Sequence, residues 1–208
     1  MLIDLSVKDF VYETASSSPA PGGGAVSALA AAQGAALLEM VANLTINSKK
    51  YEDYHIEMKE IAKKCKVYED EFLKSVDEDA NSFNLVMEAF KMPKESEEDK
   101  IKRSEKIQEG YKKAAIVPFE VGKKALELFD IAQVLVKKGN TNAITDVAVG
   151  VLNTKLAISG AFYNVEINLL SIKDKEFVED LKIKMDEILD DIETKADEIL
   201  REVENKIA

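Results

Sequence analysis

Apolar residues recur every three or four positions along most of this 208-residue chain, and this spacing is the period of an amphipathic α-helix. The longest stripe runs from Tyr54 to Phe90, and all of its steps are three or four residues long. Pro93 follows this stripe, and Ser96 begins a further helix whose first turn is acidic. The two-residue alternation of a β-strand is hard to find anywhere, so the pattern predicts helices alone.

Three further segments complete the helical pattern. Small apolar residues, mostly alanine, fill residues 25–46. A helix that begins at Asn140 or Thr141 reaches Leu170, and the last helix spans residues 174–207. Pro118 falls inside the helix that begins after Ser96, and we expect a kink there because proline cannot donate a backbone hydrogen bond.

Long helices joined by short loops favour a simple packing arrangement. We predict an all-α fold, an antiparallel up-and-down bundle of about six helices. No repeat, low-complexity tract or linker divides the chain, so residues 1–208 are predicted to form a single domain. A chain of this length buries roughly 70 % of its unfolded surface in one core.

The segment 25–46 is also long enough to cross a membrane, which takes about 20 apolar residues. Gln33, Glu39 and Asn43 interrupt it, and polar groups at membrane depth are costly. Its alanines suit close packing between helices. We therefore predict a buried core helix and no membrane partner.

The composition excludes several classes of function. The chain has 28 Lys plus Arg against 39 Asp plus Glu, a net charge of −11, which argues against a nucleic-acid partner. A single cysteine, Cys65, and a single histidine, His55, exclude most zinc sites, disulfides and catalytic triads, so no metal site is predicted. We expect Cys65 in the core and His55 at the surface. The first residues lack the pattern of a signal peptide, so a reduced, cytoplasmic protein is expected.

The strongest loop signal is Pro19-Ala20-Pro21-Gly22-Gly23-Gly24, directly before a helix. Glycines let the backbone approach a ligand closely, and the first amides of a helix face an anion or a carbonyl oxygen. Residues 21–24 (Pro21, Gly22, Gly23 and Gly24) are therefore candidates for substrate binding. A tight turn between packed helices explains the same residues equally well. No Gly-Lys-Ser/Thr follows, so a P-loop is excluded.

The long helix contains the acidic run Asp77-Glu78-Asp79, in which Asp77 and Asp79 are the candidate catalytic carboxylates. At 100° per residue, Asp79 lies about 60° from Val76, at the edge of the apolar stripe, and Asp77 lies about 100° away on the opposite flank. Asp79 is thus partly directed toward the core, where loss of solvent raises a carboxyl pKa and suits it to acid–base catalysis. The alternative is a solvated charged face.

A stripe of small and amide residues follows one face of the helix that reaches Leu170. It consists of Asn142, Asp146, Gly150, Asn153, Ala157, Gly160, Asn164 and Asn168. Glycines permit close approach of another helix or of a flat ligand, and asparagines both donate and accept hydrogen bonds. Asp146 is a second candidate carboxylate. Contact between helices across a subunit interface is the alternative explanation, and the two can hold together.

Taken in order, these motifs resemble the formiminotransferase-cyclodeaminase C-terminal family, which also includes free-standing methenyltetrahydrofolate cyclohydrolases. The motifs that carry the resemblance are Pro19–Ala25, Met40–Asn43, Val76–Phe83, Ala114–Pro118, Gly139–Asp146 and Gly160–Asn168. The resemblance implies an all-helical dimer that acts on a tetrahydrofolate derivative without a permanently bound cofactor. Asp79 falls at the family's principal acidic position, with Asp77 beside it.

The same resemblance assigns further residues to the pocket or to the dimer contact. These are the glycine loop, Asn43, Asn142, Asp146, Asn164 and Asn168. It implies conversion of 5-formiminotetrahydrofolate to 5,10-methenyltetrahydrofolate and ammonia, with cyclohydrolysis to 10-formyltetrahydrofolate as the nearest alternative. A separate formiminotransferase would then load the formimino group. An alternative of another class is a non-catalytic scaffold that binds partners through its acidic last helix.

One basic pair remains for the anionic glutamate tail of a folate. Lys49 and Lys50 follow the helix that contains Asn43, and they are candidate substrate-binding residues. Most lysine pairs are merely solvated, and that is the alternative here.

Overall fold

The computed structural model describes residues 1–208 and is helical without a strand, which confirms the all-α prediction. Short 3₁₀ turns lie at Leu2–Asp4, Lys49–Tyr54 and Thr141–Ala143. The seven helices are α1 (Val7–Thr14), α2 (Gly23–Ile46), α3 (His55–Lys91), α4 (Glu97–Ala125), α5 (Glu127–Lys138), α6 (Ile144–Leu169) and α7 (Lys175–Ile207). Four of the helices that the sequence predicts correspond to α2, α3, α6 and α7, whereas the single helix predicted after Ser96 is divided into α4 and α5.

Helix α2 lies at the centre and packs against α3 and α6. It runs antiparallel to α6, because Gly23 near its beginning lies against Asn164, and Gly34 lies against Gly150. A Cβ on Gly34 would lie 3.0 Å from Oγ1 of Thr154 and 3.2 Å from the carbonyl oxygen of Gly150. Small residues thus allow the two backbones to approach closely.

By length and composition, α2 is also the one helix that would suffice to cross a membrane. In the structure, 61 % of its apolar window is buried by the rest of the chain. Ala28, Ala35 and Leu38 are fully enclosed. This burial is what a core helix of a bundle shows.

Helices α3 and α4 also lie side by side. Gly110 lies against Val86, and Lys124 pairs with Glu71 at 2.6 Å, so α3 and α4 are antiparallel. Helix α4 in turn contacts α6. The beginning of α2, the second half of α3, the middle of α4 and the end of α6 therefore meet at one end of the bundle.

The helix is interrupted after Ala125 and not at Pro118, where the sequence predicts a kink. Helix α4 continues through Pro118 to Ala125, and α5 begins at Glu127, so the interruption lies at Leu126. Leu126 itself keeps right-handed helical angles, with φ −54° and ψ −34°. A proline inside a helix is tolerated where another group satisfies the carbonyl that it frees.

Candidate active site

A cleft of about 420 Å³ opens at the end of the bundle where α2, α3, α4 and α6 meet. Its volume is in the range of small-molecule sites. The glycine loop, α3, α4 and α6 all contribute to its wall. The lining residues are Pro19, Ala20, Gly22, Asp79, Ala80, Ser82, Phe83, Tyr111, Ala114, Asn164, Ile167, Asn168, Leu170 and Ser171.

Asp79 provides the one carboxylate of this wall. The backbone N–H of Ala25, in the first turn of α2, interacts with this carboxyl group. Burial raises the pKa of Asp79 to about 6, and the Ala25 N–H opposes this rise because it favours the charged form. A pKa in this range suits the carboxyl group to the acid–base role that the sequence analysis suggests for it.

The glycine loop explains how α2 comes so close to this carboxylate. A Cβ on Gly24 would overlap Oδ1 of Asp79 and lie 2.5 Å from its Cγ. A Cβ on Gly23 would lie 2.8 Å from Nδ2 of Asn164. Gly22 has open space, since the nearest atom is the Pro19 carbonyl oxygen at 4.0 Å. Two of the three glycines are thus required by close contact with predicted site residues, which a tight turn alone does not explain.

Asn164 and Asn168 present their amides to the same cleft. Nδ2 of Asn164 donates to the Gly160 carbonyl at 2.8 Å. Nδ2 of Asn168 donates to two carbonyls, those of Asn164 at 2.7 Å and Ala114 at 3.1 Å. Because the amide nitrogens bind backbone carbonyls, the Oδ1 atoms remain as acceptors. Together with Asp79 they give the cleft a wall that accepts hydrogen bonds.

Sequence reasoning missed the aromatic residues of the cleft. Phe83 and Tyr111 fall on apolar helical stripes by their spacing, which predicts core positions, yet Phe83 is 36 % exposed and both line the cleft. The available signal is position, because Phe83 lies one helical turn after Asp79 on the same face. Ser82 was also missed, and its hydroxyl donates to the Asp79 carbonyl at 2.7 Å.

Asp77 is not part of this wall. Its Oδ1 accepts from the backbone N–H of Leu2 at 2.6 Å, and its Oδ2 is buried without a partner. The helical wheel separates Asp77 from Asp79, and the turn at Leu2–Asp4 packs on the flank that carries Asp77. The structure therefore gives these two candidate carboxylates different surroundings.

Five predicted site residues lie at the opposite end of the α2–α6 pair. They are Asn43, Lys49, Lys50, Asn142 and Asp146. Asp146 precedes Asn164 by 18 residues on α6, which corresponds to about 27 Å along a helix. Within one chain these residues do not meet the cleft. Asn43 instead donates to Oε1 of Glu39 at 3.2 Å.

The histidine and the cysteine lie outside the cleft. Nε2 of His55 is 3.0 Å from the Ser48 carbonyl oxygen, and His55 is half-buried. Cys65 is fully buried, and burial raises the pKa of its thiol to about 12. No group of three or more His, Cys, Asp or Glu side chains is arranged to hold a metal ion.

Three comparisons relate this chain to known proteins. A methenyltetrahydrofolate cyclohydrolase from Methylorubrum extorquens is 36 % identical over 175 residues, which cover 84 % of each chain. The formimidoyltransferase-cyclodeaminase of Mus musculus is 33 % identical over 86 % of this chain, but the match spans only 33 % of that longer protein. The crystal structure of formiminotetrahydrofolate cyclodeaminase from Thermotoga maritima matches with a TM-score of 0.89 and 29 % identity over 100 % of both chains.

The family model described as formiminotransferase-cyclodeaminase matches residues 6–187. This range includes every residue that lines the cleft. The chain therefore belongs to the formiminotransferase-cyclodeaminase family.

Proposed function

We propose that this protein is a folate one-carbon enzyme, and specifically a formiminotetrahydrofolate cyclodeaminase that forms 5,10-methenyltetrahydrofolate and ammonia. The observation that carries the proposal is the Asp79 carboxyl, placed against Gly24 in a cleft large enough for a small molecule. Burial raises the pKa of Asp79 to about 6, near the pH at which a cellular acid–base catalyst works. The Thermotoga maritima structure, which matches over the whole chain, supports the same reaction.

The lining of the cleft suits this substrate. A formimino group attached to N5 is an amidine, which is rich in N–H donors and positively charged when protonated. Asp79, Asn164 and Asn168 offer it acceptors, and a carboxylate stabilises a nearby cation. Phe83 and Tyr111 provide aromatic surface for the flat rings of a folate.

Asp79 can move the proton that the reaction requires. N10 attacks the amidine carbon on N5, and the N10–C bond forms while the carbon becomes tetrahedral. Asp79 takes the proton from N10 and delivers it to the departing nitrogen, so the C–N bond breaks and ammonia leaves. The cationic methenyl product balances the charge of the protonated amidine, and the carboxylate of Asp79 lies where it stabilises that cation.

Cyclohydrolysis of methenyltetrahydrofolate is the second candidate function. The Methylorubrum extorquens cyclohydrolase is similar over 84 % of each chain, which favours it. In that reaction water adds to the same carbon and gives one proton to Asp79, which passes it to N5 as the C–N5 bond breaks. The added hydroxyl loses its proton to solvent as the formyl C=O forms, and the products are 10-formyltetrahydrofolate and one proton. The same cleft and the same carboxylate would serve both reactions.

One experiment separates the two functions. The purified protein is supplied with 5-formiminotetrahydrofolate, and ammonia release and methenyl absorbance are followed together. A cyclodeaminase releases ammonia above the uncatalysed rate and accumulates methenyltetrahydrofolate. Rapid hydrolysis of added methenyltetrahydrofolate without ammonia release from the formimino compound would contradict the cyclodeaminase proposal and support the cyclohydrolase. If neither folate is converted, both proposals are wrong.

We also propose that the protein is a homodimer that pairs through α2 and α6. Both helices expose apolar side chains, and on helical wheels of the antiparallel pair these stripes fall on the same side. The exposed residues are Val26, Met40, Leu44, Val149, Leu152, Leu156, Tyr163 and Ile167. Apolar surface of this extent, uncovered in a single chain, is typical of an interface.

Such a dimer offers a role for the five predicted site residues at the end of the α2–α6 pair opposite the cleft, the far end. A two-fold axis perpendicular to the helices makes the two α2–α6 pairs antiparallel. The Asp146 end of one subunit then lies over the Gly23 end of its partner. Asp146 and Asn142 of one chain would then approach the cleft of the other. An axis parallel to the helices would instead keep like ends together, and an experiment distinguishes the two.

Mixed dimers test this arrangement. Asp79→Asn and Asp146→Asn chains are each prepared alone and then mixed after dissociation. If the two residues act in one site across subunits, the mixture regains up to about a quarter of wild-type activity, since half of the dimers are mixed and each has one intact site. No regain, or a fully active Asp146→Asn protein, would contradict the shared site.

The dimer itself is tested by a substitution at its face. Leu152→Glu is expected to give monomers in sedimentation, because it places a charge inside the apolar interface. Ile183→Glu on α7 is the matched control, since Ile183 and Leu152 are each 51 % exposed. An unchanged dimer in Leu152→Glu would show that this face is not the interface.

A further inference from the structure

Pro118 lies buried in the middle of α4, although the helix runs on without interruption to Ala125. In an α-helix the N–H of residue 118 would donate to the carbonyl of residue 114. Proline has no N–H, so the Ala114 carbonyl loses its helical partner. Ala114 is 3 % exposed, and a buried carbonyl normally has a hydrogen-bond donor.

Asn168 supplies that donor. Its Nδ2 lies 3.1 Å from the Ala114 carbonyl oxygen and 2.7 Å from the Asn164 carbonyl oxygen. Both hydrogens of the amide nitrogen are therefore used on backbone carbonyls from two different helices. The amide is held in one orientation, and its remaining polar atom, Oδ1, is an acceptor at the wall of the cleft.

We propose that Pro118 is a positioning residue, which frees the Ala114 carbonyl so that it holds the Asn168 amide with Oδ1 ready to accept an N–H of a bound folate. The substrate class rests on the proposed function, whereas the orientation of the amide does not. Pro118 itself does not line the cleft, so it acts only through Asn168.

The alternative is that Pro118 merely shapes α4. With alanine at position 118, an N–H would compete for the Ala114 carbonyl and draw it back along the helix axis. Asn168 would then keep only its bond to Asn164. A merely structural proline predicts no change at Asn168, so the two explanations differ in a measurable signal.

The experiment compares Pro118→Ala with Pro93→Ala, a matched control at an exposed proline after the end of α3. The side-chain amide of Asn168 is followed by nitrogen NMR without substrate, and the affinity for 5-formyltetrahydrofolate is measured by calorimetry. In Pro118→Ala we expect a shifted, faster-exchanging Asn168 amide and about fivefold weaker binding, the effect of one weakened hydrogen bond. The turnover number should stay within about twofold, because the reacting carboxyl is untouched. Pro93→Ala should resemble the wild type in every measurement.

If Pro118→Ala is poorly folded, Pro118→Val restores the same N–H with about the volume of the proline ring, and that variant replaces it in every measurement. The coupling between positions 118 and 168 is a second test. Asn168→Asp replaces the donor nitrogen by oxygen and should weaken folate binding strongly in the wild-type background. In the Pro118→Ala background the same change should cost less, because the contact is already weakened. Additive effects of the two substitutions, or a wild-type Asn168 signal in Pro118→Ala, would overturn the proposal.

The proposed function and this inference fail separately. If the wild-type protein binds 5-formyltetrahydrofolate but converts no folate, the proposed function is wrong. The binding measurements still decide the role of Pro118. A shifted Asn168 amide with unchanged folate affinity would overturn the role of Pro118 in binding, whether or not the reaction is confirmed.

Discussion

The two ends of the α2–α6 pair carry the same residue types, yet they differ in what surrounds them. At the cleft end, Gly24 lies against the Asp79 carboxylate, and burial raises the pKa of that group to about 6. At the far end, Asp146 is half-buried in the first turn of α6, and Asn142 beside it is exposed. Acidic, amide and small residues are therefore insufficient to make a reactive carboxyl.

Close approach of the backbone makes the difference. At the cleft end α2 comes near enough to bury Asp79 and still offers it one N–H, from Ala25. Burial alone would neutralise the carboxyl group, whereas a full set of donors would lower its pKa. The combination leaves a group that both takes and gives a proton. If this asymmetry between the two ends is real, substitutions at the cleft end should have the larger effects.

The largest effect is expected for Asp79→Asn. An amide cannot take the proton from N10, so turnover should fall by about a hundredfold to ten-thousandfold. The dimer and the helical content should be unchanged, because the amide keeps the size of the carboxyl. Steady-state kinetics with circular dichroism check both expectations. Full activity in this variant would show that Asp79 takes no part in the reaction.

Gly24→Ala should have the next largest effect. The added Cβ would overlap the Asp79 carboxylate, so the carboxyl must move and the rate should fall about tenfold to a hundredfold. Gly22→Ala is the matched control, since its Cβ would have no atom nearer than 4.0 Å. Kinetics of the two variants side by side measure the difference. Equal losses in both would show that loop flexibility, rather than close approach, is what matters.

Stability should change in the opposite direction from activity. A folded-state pKa raised from 3.8 to about 6 means that the folded protein binds protons more readily than the unfolded chain, so stability falls as pH rises through this window. Two pKa units correspond to about 3 kcal/mol, and the partly open cleft reduces this to about 1 to 2 kcal/mol. Asp79→Asn should therefore be more stable than the wild type at pH 8.

The control for this stability prediction is pH itself. At pH 4 the Asp79 side chain of the folded wild type is protonated, so the advantage of Asp79→Asn should vanish. Urea unfolding at the two pH values measures it. A variant that is equally stabilised at both pH values would show that the charge of Asp79 costs the fold nothing.

Most of the fold and part of the site were predictable from sequence. Helical periodicity predicted α2, α3, α6 and α7, and α4 with α5 as one helix, because each helix buries an apolar face, as Val76 and Phe72 do on α3. The wheel also separated Asp79 from Asp77 correctly, since that depends only on the geometry within one helix. The glycine loop and Asn164 met Asp79 as expected for one pocket.

The rest depends on how helices meet, which periodicity does not describe. The stripe from Asn142 to Asn168 is one feature in the sequence. In the structure it extends about 39 Å, from the turn before α6 to the end of that helix, so its residues lie at two separate ends of the bundle. The side-chain amide of Asn168 donates to the Ala114 carbonyl on another helix, and Pro118 leaves that carbonyl without its helical partner. Phe83 lines the cleft with residues of α4 and α6 instead of lying in the core.

The smallest effect is expected at the lysine pair of the far end. Lys49 and Lys50 are exposed and follow the end of α2, so within one chain they lie farther from Gly23 than the length of that helix, about 36 Å. They reach a cleft only if the two-fold axis crosses the helices. In that arrangement, replacing both by Ala should raise KM about threefold for a polyglutamylated folate, the value of an exposed ion pair.

A monoglutamate folate should show no change in the same variant, because its single tail ends before the partner subunit. Lys59→Ala with Lys63→Ala is the matched control, since both lysines are exposed on α3 and neither forms an ion pair. A rise in KM that is confined to the polyglutamate and to the Lys49–Lys50 variant would show that the two ends meet across subunits. An unchanged KM would leave the far end without a part in substrate binding, because a dimer that joins like ends holds these lysines away from both clefts.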